Sequence, residues 1–235
     1  MYRKDWNKLS PLRVFERSTH GGLGKGNLGV VMSRAGVGKT AVLVGIALDD
    51  LMREHKVLHV NLHDPVDKVR AFYDEVFHDL AEHANLENRA SIHLTAERHR
   101  MILSYTGGSF TMNKLRESLD MLKTQMLFEP EAIVIDGYPS FYKATEDQLQ
   151  DLKKLAVELD AEIWLSTQTH REGDSRDERG IPEKVARFEE YLTVIVDLEP
   201  MADHVKITLL KDHDNRDLAD LHMELDPKTL LLKWR

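Results

Sequence analysis

Chemistry is concentrated in one stretch, Val30-Val31-Met32-Ser33-Arg34-Ala35-Gly36-Val37-Gly38-Lys39-Thr40. Apolar residues run into a small-residue loop, and a helical pattern follows. The loop is close to G-x-x-x-x-G-K-[ST], the phosphate-binding P-loop, with Ser33 where the first glycine is usual. Gly36 and Gly38 let the backbone curl so that successive N–H groups face one concavity. A helix starting at Lys39 adds the positive end of its dipole. Lys39 can reach the β- and γ-phosphates, and the Thr40 hydroxyl can take a place on Mg²⁺. The expected ligands are therefore ATP and Mg²⁺, cradled by residues 33–40. Asp136 is the second chemical residue. It ends the apolar run Ala132-Ile133-Val134-Ile135, and a carboxylate at such a strand tip can bind Mg²⁺ directly or through water, opposite Lys39 and Thr40. Gln168 ends a further strand, Glu162–Gln168, where an amide can sense the γ-phosphate.

The elements that must position these groups alternate between strand and helix. Leu28–Met32, Val57–Leu62, Ala132–Asp136 and Glu162–Gln168 read as buried strands. Ala41–Glu54, Val66–Ala84, Met112–Phe128 and Glu146–Leu159 carry apolar residues at helical spacing. Ala90–Tyr105 reads as mostly extended, with Ile92, Leu94, Met101 and Leu103 pointing inward. Leu192–Leu198, Val205–Leu210 and Leu221–Leu225 read as closing strands, with Leu230–Trp234 as an added edge. Residues 1–20 read as an irregular arm, and residues 170–187 as a long charged loop. This alternation predicts an α/β fold in a single domain: a mostly parallel sheet with helices on both faces and antiparallel strands at the C-terminal end. Ligands then bind at the carboxyl ends of the strands, where the P-loop, Asp64, Asp136 and Gln168 would meet.

Composition sets limits on the partners. The net charge is −8, so no basic surface dominates, and nucleic acid is not the favoured partner. There is no cysteine, hence no disulfide and no thiolate metal site. The first residues lack the apolar run of a secretory signal, and no stretch approaches membrane-spanning length; the expectation is a cytoplasmic protein without membrane contact. Of the 12 histidines, His55, His59 and His63 are evenly spaced, but none falls in a recognised ligand spacing, and no metal beyond Mg²⁺ is expected.

In order along the chain, five segments resemble the RecA superfamily of ATPases, and within it the KaiC-like proteins and the ATPase domain of DnaB-type replicative helicases. They are the lead-in Gly21-Gly22-Leu23 with Gly26-Asn27-Leu28, the P-loop Ser33–Thr40 with an arginine at its second position, Ile133–Asp136 as Walker B, Leu152–Gln168, and a final hairpin with Lys211-Asp212-His213 and Leu225–Thr229. Arg34 is also similar to the signature lysine of MinD-like ATPases, but the lead-in and the all-strand carboxyl end fit that group poorly. The resemblance implies a RecA-like P-loop fold and a head-to-tail homo-oligomer with the nucleotide between subunits. It also marks two departures. The family's catalytic glutamate follows the second strand, and here that place is held by His63, with Asp64 beside it. The family's Lys-x-Arg pair, offered to the neighbouring nucleotide, is matched by Lys211, but His213 replaces the arginine. The leading expectation is an Mg²⁺-dependent ATP-binding protein with weak ATPase activity. A non-hydrolysing ATP-sensing module is the alternative, and a DNA-dependent motor is the least favoured reading.

Overall fold

A computed structural model describes residues 1–169 and 175–234. The chain opens with two short helices, α1 (Arg3–Leu9) and α2 (Leu12–Ser18), before β1 (Leu28–Ser33) and the long helix α3 (Lys39–Met52). Next come β2 (Val57–Asn61), α4 (Val66–His83), α5 (Arg89–His99), β3 (Arg100–Ser104) and α6 (Met112–Met126). After β4 (Ala132–Asp136), α7 (Glu146–Leu159), β5 (Glu162–Gln168) and the single turn α8 (Glu183–Ala186), the chain closes with β6 (Val194–Pro200), β7 (Val205–Asp212), β8 (Met223–Leu225) and β9 (Leu232–Trp234). The described strands form one nine-stranded sheet in the order β3-β2-β4-β5-β1-β6-β7-β8-β9. It is parallel from β3 to β6 and antiparallel from β6 to β9. The chain is thus α/β with a mostly parallel sheet. No described helix is long and apolar enough to cross a membrane.

Strand alternation sorts the core into two layers. Val31, Val134 and Trp164 pack on one face with α3, α4 and α2; Val30, Ile133, Ile135 and Leu165 pack on the other with α6 and α7. The same parity fixes which way each strand tip faces, and so decides the chemistry of the site.

Three segments differ from the sequence expectation. Residues 1–20 are helical over α1 and α2, because Leu12 and Phe15, three apart, bury together on α3 and Trp164. Polar ties fasten the segment: Asn7 Nδ2 donates to the Met52 carbonyl at 2.9 Å, Ser10 Oγ donates to Asp49 Oδ1 at 2.5 Å, and Arg13 pairs with Asp49. Residues 89–99 form a helix, and only 100–104 are extended; Leu94 is exposed rather than inward. The alternation of Ile92 and Leu94 with polar neighbours mimicked a strand, yet Ala96 is the helix's one buried side chain, and His93 fastens α5 to α4 through Asp74 at 2.9 Å. Of the loop 170–187, residues 170–174, including Arg171, lie outside the described part. The rest is not wholly solvated, since Ile181 and Val185 are buried and 183–186 makes a helical turn.

Candidate functional site

Ser33, Asn61, Asp136 and Ser166 lie at or near the carboxyl ends of β1, β2, β4 and β5. Each falls on the same strand parity as Val31, Val57, Val134 and Trp164, and therefore on the face covered by α3. All four are at most 6% exposed. Four adjacent strands in a buried sheet thus end in a row of polar groups directly under the start of α3, where uncompensated burial would be costly.

The loop between β1 and α3 has the backbone its glycines allow. Gly36 and Gly38 sit at φ 73° and 120°, in the region that side chains with a Cβ rarely enter. A Cβ on Gly38 would also run into Leu225 of β8, so the antiparallel end of the sheet seats directly against the loop. Lys39 folds back over the loop: its Nζ donates to the carbonyls of Ser33 at 3.3 Å and Arg34 at 3.1 Å and to Ser33 Oγ at 3.3 Å. Burial lowers its pKa from the ordinary lysine value, with the charge of Asp136 opposing. No carboxylate pairs with it among the described residues, so the ammonium is held by neutral oxygens that an anion can replace.

Thr40, one residue on, donates from Oγ1 to Asp136 Oδ2 at 2.7 Å. The tip of β4 therefore meets the first turn of α3 directly. Ser166, which the sequence reading did not single out, donates to Asp136 Oδ1 at 2.5 Å and accepts the Gly137 N–H at 2.9 Å. The sequence offers only its parity: Ser166 is two residues before Gln168, and so shares its side of the strand.

At the end of β2 the Asn61 side-chain oxygen accepts the N–H groups of His63 at 2.8 Å and Asp64 at 2.7 Å, forming a tight Asx-type turn. The turn separates the two candidates. His63 lays its imidazole against Gly137, the residue after Asp136; a Cβ there would collide with the ring, and Gly137 has φ 97°. Asp64 pairs with Lys68 at 2.7 Å and lines a cavity shared with Thr40 and Asn61. Gln168 is exposed and pairs in register with Ser33, at the entry to the glycine loop.

Lys211 and His213 are not brought to the loop. Lys211 Nζ donates to the Glu189 carbonyl at 2.7 Å, and His213 bonds through Nδ1 to Asp212 at 2.7 Å. In the charged loop, Arg176 pairs with Asp197 at 2.7 Å, and Arg179 with Asp177 and Glu189. Arg187 donates to the carbonyls of Phe141 and Ala144.

No protein-family model matches the sequence. The chain is similar to the DnaB-like replicative helicase of Enterobacteria phage T4, 24% identical over 190 residues, which cover 71% of this chain and 40% of that protein. It thus spans about two-fifths of the length of the curated relative it matches. At 24% identity the likeness does not by itself place the chain in a family.

Proposed function

We propose that residues 1–235 are one RecA-like domain that binds ATP with Mg²⁺, hydrolyses it weakly, and works as a head-to-tail homo-oligomer. The observation that carries this reading is the 2.7 Å contact of Thr40 with Asp136 beside a glycine loop whose lysine has no carboxylate partner among the described residues. These donors fit the expected ion: a hydroxyl and a carboxylate are hard oxygen ligands of the kind Mg²⁺ takes. When bound, Mg²⁺ neutralises charge on the phosphates.

The chain's own groups do the rest. The loop N–H groups around Gly36 and Gly38 and the start of α3 receive phosphate oxygens. Lys39 exchanges the Ser33 and Arg34 carbonyls for phosphate. His63, against Gly137, stands beside the metal carboxylate, and an imidazole nitrogen can take the proton of an attacking water. Asp64 would first have to leave Lys68. Gln168 sits where a change at Ser33 reaches the segment after β5. Lys211 would serve a neighbour's nucleotide, its partner here being Glu189.

A second reading, ATP binding without turnover, draws on His63 in the glutamate's place and His213 in the arginine's. The helicase relative raises a DNA-dependent motor as a third. The net charge of −8 and the internal engagement of Arg176, Arg179 and Arg187 weigh against it. Phosphate release with Mg²⁺ from wild type, Lys39→Ala and His63→Glu decides between the first two. Turnover in wild type that is lost in Lys39→Ala supports the ATPase. A silent wild type with an active His63→Glu selects the switch, and turnover unchanged by Lys39→Ala refutes both.

A further inference from the structure

Asp136 has both carboxylate oxygens engaged, and the two engagements differ in kind. Oδ2 accepts from Thr40, the first-turn residue of α3, at 2.7 Å. Oδ1 accepts from Ser166 at 2.5 Å, and the same hydroxyl accepts the Gly137 N–H at 2.9 Å. The proton order is fixed: the amide donates to the hydroxyl and the hydroxyl to the carboxylate. Because Gly137 directly follows Asp136, Ser166 bridges the carboxylate to its own next backbone amide. The carboxylate cannot rotate without breaking that bridge. Ser166 cannot follow such a rotation, since it is 2% exposed in β5, a strand flanked by β4 and β1.

We infer that Ser166 is a positioning residue that makes the site choose Mg²⁺ over larger cations, by withholding one oxygen of Asp136. The inference rests on the proposed reading of Thr40 and Asp136 as metal ligands. With Oδ1 tied to Ser166, Asp136 offers a cation Oδ2 alone. Mg²⁺ is held through few protein oxygens in strict octahedral geometry, whereas Ca²⁺ readily takes both oxygens of a carboxylate. Removing the hydroxyl frees Oδ1, and the preference then weakens. Partners of metal ligands commonly change metal affinity by about 10–100-fold when lost.

The test is calorimetric binding of a non-hydrolysable ATP analogue to the full chain with Mg²⁺, with Ca²⁺ and with neither. Wild type, Ser166→Ala and Ser166→Thr are compared, with far-UV circular dichroism and a thermal melt as the check of folding. Wild type should bind more tightly with Mg²⁺ than with Ca²⁺. Ser166→Ala should move the ratio of the two affinities about tenfold toward Ca²⁺, leave metal-free binding unchanged, and Ser166→Thr should restore the wild-type ratio. If Ser166→Ala does not fold, Ser166→Cys, near in size but a weak donor, should move the ratio the same way. An unchanged ratio in a folded Ala or Cys variant overturns the inference, as does an equal shift in Ala and Thr. Wild-type binding indifferent to any cation overturns the metal reading itself.

Discussion

Replacing Gly137 with alanine tests where His63 sits, and two separable costs are expected. The backbone at φ 97° lies where a residue with a Cβ is strained, at about 1–3 kcal/mol. The new methyl would also overlap His63 Nε2, with Cδ2 at 2.9 Å and Cε1 at 3.2 Å, so the ring must move. Overpacking of this kind costs about 1 kcal/mol at its lower end, which suits an exposed side chain able to swing away. The sum is about 3 kcal/mol. For a chain of 235 residues that lowers Tm by roughly 6–12 °C. In a His63→Ala background the obstacle is gone, and Gly137→Ala should cost only its backbone share. Thermal and urea denaturation of the four proteins of this cycle should therefore show a coupling of about 1 kcal/mol. Equal costs of Gly137→Ala in both backgrounds would mean that the imidazole does not lie on Gly137, and His63 would lose its place beside Asp136.

Two further outcomes concern pH. Burial, with Asp50 adding to it, pushes the Glu162 carboxyl up to about 8. The folded chain thus holds this proton more tightly than the unfolded one. The group's contribution is full below the ordinary glutamate range and is lost as pH rises to about 8. Glu162→Gln should gain stability relative to wild type between pH 5 and pH 8; an offset constant across that range refutes it. For His59 the sign reverses. Burial lowers its pKa to about 4, so its contribution is full above the ordinary histidine value near 6.5 and is lost as pH falls toward 4. His59 Nδ1 lies 2.9 Å from the Tyr73 hydroxyl, and His59→Gln, which keeps a polar partner for it, should flatten denaturation midpoints between pH 6.5 and 4.5; parallel slopes would contradict this.

Legibility followed periodicity and turn chemistry. The stretch from β1 through α3 and the tip of β4 could be read because a buried strand, a glycine loop and a carboxylate each leave a local mark. Two errors arose where local pattern and packing disagreed. Ile92 and Leu94 alternate like a strand, yet the segment is a helix held by His93 on Asp74. Leu12 and Phe15 are too few to announce a helix, and it is their burial against Trp164 that makes one. In the site, the choice between His63 and Asp64 could not be read from sequence, because it depends on the Asn61 turn that sends one side chain toward Gly137 and the other toward Lys68. Ser166 was hidden for a different reason. A serine in an apolar strand carries no motif, and its meaning comes only from the parity it shares with Gln168 and from the distance to Asp136 across the sheet.

The proposed role of the glycine loop is to hold a nucleoside triphosphate through Lys39, with Thr40 and Asp136 holding its Mg²⁺. The direct measurement is the equilibrium affinity of ATP for wild type and Lys39→Ala, each with and without Mg²⁺. Mg²⁺ should tighten wild-type binding. Lys39→Ala should weaken it by at least about tenfold, the equivalent of one charge-assisted hydrogen bond at roughly 1.5–3 kcal/mol. A Lys39→Ala protein that binds ATP as tightly as wild type would contradict the account.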